Sequence, residues 1–106
     1  MFVALVTGSV VATQKTGSMT GHKLLVVEPY RLEDKARDRL VPTGRTFVAV
    51  DTLGAGDGQF VLVTQGSSAR LTPETKSLPI DAVVIGLVDS VRVGGRDVFS
   101  RNAQEG

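Results

Sequence analysis

The stretch of this 106-residue chain most suggestive of ligand chemistry is Gly54-Ala55-Gly56-Asp57-Gly58. A glycine loop can cradle phosphate with its backbone amides. That use requires G-x-G-x-x-G spacing or a following Lys-Ser/Thr, and then a helix. Here a strand-like run, residues 60–63, follows, and Asp57 would repel an anion. The loop reads as structural, its glycines supplying positive φ or close backbone approach. A second corner, Gly66-Ser67-Ser68-Ala69-Arg70, invites a serine-nucleophile reading. Activation needs a base within hydrogen-bond reach, and nothing places the sole histidine, His22, beside Ser67 or Ser68. His22 is equally unsuited to a metal site, which needs three or four ligands at defined spacing. Cysteine is absent, which removes thiolate chemistry and disulfides. Asp51, Asp81 and Asp89 sit at the ends of apolar runs, where carboxylates bind turn amides, and they form no paired acid/base signature. The residues predict no enzyme, no cofactor and no metal.

The elements around these residues are mostly strands. Residues 2–11 are Val-rich with an interruption at Thr7-Gly8-Ser9, which predicts a long strand bent or bulged near Gly8. Residues 23–28 form a second run, and Pro29 argues against its continuation. Residues 47–50 and 60–63 flank the glycine loop and read as a central hairpin. Residues 82–93 read as one long strand bent at Gly86, and Gly94-Gly95 turns the chain into a final strand over residues 97–100. Residues 101–106 read as a frayed tail. Residues 30–45 stand apart. Leu32, Ala36 and Leu40 recur every four residues and Glu33 precedes Arg37 by four, so a short amphipathic helix and a charged loop are both compatible with the segment.

About five principal strands without a dependable long helix predict one all-β domain over residues 1–100, a small barrel with short helical turns. Such strands should alternate apolar inside and polar outside. The runs at residues 24–27, 47–50, 60–63 and 82–85 are instead apolar on both faces. No helical cover is available, so the second face calls for a partner subunit. The formal charge of +1 gives no general attraction to nucleic acid or anionic membrane, and the few aromatics offer no base-stacking surface. In residues 31–45 the basic side chains are interleaved with Glu33, Asp34 and Asp38; a solvated mixed-charge surface and a contact with a neighbouring protein are the two readings. Residues 1–12 lack a basic region ahead of an apolar core, and no apolar run approaches the ~20 residues that span a bilayer. A soluble, cytoplasmic protein is the expectation.

Several motifs, in order, resemble the vertex proteins of bacterial microcompartments, the ethanolamine-utilisation and carboxysome vertex family. They are V-T-G-S-V-V-A-T-Q-K from Val6, G-H-K-L-L-V-V-E from Gly21, L-G-A-G-x-G-x-x-V-L-V from Leu53, G-S-S-A-R from Gly66 and P-I-D-A-V-V-I-G-L-V-D from Pro79. The similarity runs from Phe2 to Phe99 and departs at residues 30–45, which read as a variable charged insertion. The resemblance implies a five-stranded barrel akin to the OB-fold that assembles as a cyclic homopentamer. It also implies a structural role at the five-fold vertices of a cytoplasmic shell, beside hexameric and pseudohexameric shell proteins. On this reading Gly54, Gly56, Gly66, Ser67, Ser68 and Arg70 belong to a subunit interface or the ring axis, and a Cβ at Gly56 is expected to clash. An OB-fold nucleic-acid-binding module is the alternative.

Overall fold

The computed structural model describes residues 1–11, 23–66 and 82–101. Among the described residues, eight strands run in the order β1 (Phe2–Val10), β2 (Lys23–Leu32), β3 (Leu40–Pro42), β4 (Phe47–Asp51), β5 (Phe60–Gln65), β6 (Ala82–Leu87), β7 (Ser90–Val93) and β8 (Arg96–Ser100). The main sheet is ordered β1-β5-β6-β4-β2-β3, and pairing of β1 with β2 closes it into a five-stranded barrel of β1, β5, β6, β4 and β2. All its pairings are antiparallel except β4 with β6. Strands β7 and β8 form a separate two-stranded sheet.

Alternate residues of each barrel strand point inward. Ala4 and Val6, Leu25 and Val27, Val61 and Val63, and Ala82 and Val84 join Ala49 and Ala55 in one buried cluster. The opposite parity carries a second cluster, Val50 and Val83 with Leu24 and Ile85 packed beside them. Register explains its continuity, because Leu24 faces Val50 and Val50 faces Val83 across neighbouring strands. The two-sided apolar character of these strands is thus real, and part of the outer face is open: Val48 is 54% exposed.

Not all of the outer face waits for a partner. Phe60, outward on β5, is buried by this chain's own residues. Its ring lies 4.6 Å from that of Phe99 on β8 and 5.0 Å from that of Tyr30 on β2. An isolated two-stranded sheet is marginal in water, and these ring contacts give β7–β8 a surface to rest on.

Four expectations require correction. Strand β2 continues through Pro29 to Leu32. Pro29 faces Ala4 of β1, and its carbonyl accepts from the Thr43 amide (3.1 Å) and hydroxyl (2.9 Å) on the other side. A residue's N–H and C=O share one side of a strand, so the missing donor falls between the last β4 partner, Val27, and the first β3 partner, Tyr30. Residues 30–45 are consequently neither helix nor unstructured loop but a β-hairpin, with Tyr30, Arg31 and Leu32 opposite Pro42, Val41 and Leu40. Strands β4 and β5 do not pair, so there is no central hairpin; β6 lies between them. Residues 82–93 are two strands in different sheets, broken at Val88-Asp89, because the Val88 amide still donates to Phe60 while β7 turns toward β8; the irregularity expected at Gly86 is present within β6 as a register shift that leaves Ile85 unpaired. The irregularity expected near Gly8 is present as a register shift between Val6 and Gly8.

Candidate functional site

The glycine loop between β4 and β5 is built on Asp51. This carboxylate, buried at the end of β4, accepts three backbone amides: Leu53 (2.9 Å) and Gly54 (3.2 Å) on Oδ1, and Ala55 (2.8 Å) on Oδ2. Three amide donors around one carboxylate hold the loop against the barrel mouth. Ala55, fully buried, enters the inner cluster, and Lys23 Nζ donates to its carbonyl at 3.0 Å. The second half of the loop is closed reciprocally. The Gly56 amide donates to Gln59 Oε1 (2.8 Å), while the Gln59 amide donates to the Gly56 carbonyl (3.2 Å). Gly58 and Gln59 then dock on β1 through bonds of 2.9 Å in both directions with Val6.

Positive φ is needed at Gly54 (+80°) and Gly58 (+86°), where an L side chain is strained. Gly56 differs. Its φ is not positive, and an added Cβ would meet only Gln59 Oε1 at 4.0 Å, so the expected clash does not exist within the protomer. The loop's amides are occupied by Asp51, Gln59 and Val6, which leaves few for an anion.

Of the expected interface residues, Gly54, Gly56 and Gly66 are described. Gly54 and Gly56 precede β5, whereas Gly66 (φ +69°) follows its far end, roughly 20 Å of strand away. Ser67, Ser68 and Arg70 lie outside the described residues, as do His22 and Asp81. Asp51 binds turn amides as expected, but Asp89 pairs with the Arg101 guanidinium at 3.1 Å instead. Sequence reasoning missed Ala55 as the plug of the barrel mouth; a lone apolar residue between two glycines was the available signal. It also missed Phe99 as the cover of Phe60, a contact with no local signature. Among the described residues, no group of three or more His, Asp or Glu side chains is placed to hold a metal ion.

The outer face of β2 and β4 is where an OB-fold module would read a nucleic acid. Here it presents Leu24, Val26 and Val48, aliphatic positions without a stacking ring or cation among them, beside Val50, which this chain itself buries. Its chemistry suits another apolar protein surface.

The model of the ethanolamine utilisation protein EutN/carboxysome family matches residues 1–89. The chain belongs to this family. Among its relatives, the bacterial microcompartment shell vertex protein GrpN of Rhodospirillum rubrum is 48% identical over 91 residues, 86% of this chain and 96% of GrpN. EutN of Salmonella typhimurium, another shell vertex protein, is 40% identical over 101 residues, 95% of this chain and 96% of its own. Solved family members share the barrel. Gloeobacter violaceus CcmL superposes with a TM-score of 0.83 at 38% identity, covering 96% of this chain and 99% of CcmL. The GrpN pentameric microcompartment shell protein superposes at 0.71 with 46% identity, covering 88% of this chain and 99% of GrpN. Family coverage extends through the glycine loop and through the β2–β3 hairpin alike.

Proposed function

We propose that this chain forms a homopentamer that closes the five-fold vertices of a bacterial microcompartment shell in the cytoplasm, and that it performs no turnover itself. The observation that carries this reading is similarity over nearly the whole chain to a pentameric shell protein, at 46% identity. The mechanism is geometric. A closed shell tiled by hexagonal units needs pentagonal units at its corners, and a heterologous contact that closes after five rotations supplies one. The aliphatic β2–β4 face, with Val48 exposed, supports such a contact. Hexameric and pseudohexameric shell proteins are the neighbours this role requires. Gly54, Gly56, Gly66, Ser67, Ser68 and Arg70 are proposed to lie at the subunit boundary or ring axis, where small residues permit close approach of backbones and Arg70 makes a charged contact across the boundary.

Native mass spectrometry of the purified chain tests the reading, with a species of about five times the 11.2 kDa subunit mass expected. A monomer at micromolar concentration overturns it. The Arg70→Ala variant should shift the ring toward smaller species and prevent shell closure on co-expression with hexameric tiles. An unchanged ring and closed shells would remove Arg70 from the boundary.

A further inference from the structure

Between the β2–β3 and β7–β8 hairpins lies a groove of about 430 Å³, within the range of ~300–1,000 Å³ typical of ligand sites. Its wall is largely apolar: Phe60, edge-on to Tyr30 and tilted against Phe99, with Leu5, Leu40 and Val98 around it. The one charged residue among its described lining is Arg39, exposed at the rim where the chain enters β3.

The adjoining hairpin turn disposes its acids inward on itself. The Glu33 carboxylate accepts the amides of Lys35 (3.1 Å) and Ala36 (2.6 Å), and Asp34 pairs with Arg31 at 2.8 Å. The turn is further set by Arg37 in the left-handed region (φ 53°) and by the Glu33 amide donating to the Arg39 carbonyl at 3.0 Å. Among the described residues, Lys35, Arg37 and Arg39 form no ion pair, and exposed Asp38 is the one acid of the turn not engaged in these bonds. An aromatic groove therefore opens beside a mixed-charge turn with an excess of one base, and Arg39 is the charge it presents to the groove.

We propose that this groove docks an acidic segment of a neighbouring shell protein, one that inserts a large apolar side chain against Phe60 and Phe99 and sets a carboxylate on Arg39. The proposal rests on the vertex reading for the identity of the partner. Charge complementarity decides the occupant's chemistry: the groove offers a guanidinium and no acid, so an apolar residue flanked by carboxylates matches it and a basic one does not. Buried aromatic anchors in a preformed pocket are the kind of contact that carries binding energy.

Tyr30 is the only tyrosine, and the chain has no tryptophan, so its emission reports on the groove directly. The probe is the blocked hexapeptide Asp-Glu-Leu-Phe-Glu-Asp, titrated into the assembled wild-type protein, with a control carrying lysine at the acidic positions. A saturable change in Tyr30 emission with the acidic peptide alone is expected. Arg39→Glu should weaken it at least tenfold while leaving the native mass unchanged. No saturable change, an equal response to the lysine peptide, or full affinity in Arg39→Glu would each overturn the proposal. Sodium decanoate binding as tightly as the peptide would also overturn it, by assigning the groove to a small amphiphile. These outcomes are separable from the vertex reading, which stands or falls on the ring mass of the unmutated chain.

Discussion

Asp51 is the residue on which the glycine loop depends, because a single carboxylate serves three amides beside a buried alanine. Asp51→Ala leaves those donors without an acceptor in a largely buried setting and should lower stability by about 3 kcal/mol. Asp51→Asn keeps one acceptor oxygen and should lose less than half of that. Denaturant midpoints at fixed protein concentration compare the two, and equal losses would show that volume rather than amide binding matters. The glycines separate by the same measurement. Gly58→Ala forces a Cβ into the left-handed region and should cost about 1–2 kcal/mol. Gly56→Ala, with positive φ absent and open space around it, should be neutral within ~0.5 kcal/mol for the protomer. A folded Gly56→Ala protein that no longer forms rings would place Gly56 against a neighbouring subunit.

At the scale of elements, the β2–β3 hairpin carries its own organising contact. The backbone bonds from Ala36 and Lys35 hold the Glu33 carboxyl below the ordinary glutamate range, with Arg39 adding a smaller attraction of the same sign. A depressed folded-state pKa means the contribution is present above the unfolded value and is lost as pH falls through the lowered one. Amide resonances of Lys35 and Ala36 should therefore move at a more acidic pH than a glutamate in the unfolded chain titrates; movement at the ordinary value would remove the bond. Because Glu33 sits in a solvated surface turn, overall stability should barely respond. Replacing residues 32–40 with a short Gly-Ser linker should leave the ring intact, since the hairpin tip adds no residue to either buried cluster. Collapse of the ring on that replacement would make the hairpin an interface element.

For the whole molecule, the decisive property is an outer barrel face that remains aliphatic where the chain does not cover it. Val48→Asp sits at a position 54% exposed in the protomer, so the barrel should still fold. A carboxylate desolvated against a partner's apolar surface should nevertheless break the ring into smaller species. Circular dichroism reports the first outcome and native mass the second. A ring that survives Val48→Asp would move the subunit contact off the β2–β4 face. The near-neutral charge of the chain predicts weak nucleic-acid binding that gives no steep salt dependence in a gel shift.

The barrel strands could be read from residues, because short continuous apolar runs rich in β-branched side chains and punctuated by glycine are local signals. Residues 2–11, 23–28, 47–50, 60–63 and 82–87 all lie in or against β1, β2, β4, β5 and β6. The chain also carried the two-faced apolar pattern, and with it the need for a cover. What the order of the chain could not supply was which strand lies beside which. The parallel β4–β6 pairing separates neighbours in sequence, and it forms through contacts between residues more than thirty positions apart, Val50 with Val83 and Asp51 with Val84. The same holds for Pro29, whose tolerance depends on a gap between two partners of β2, and for Phe99, whose burial depends on Phe60. A strand propensity is a property of one segment. A register, a covered ring and a groove between two hairpins exist only when distant segments meet, so tertiary packing alone decided them.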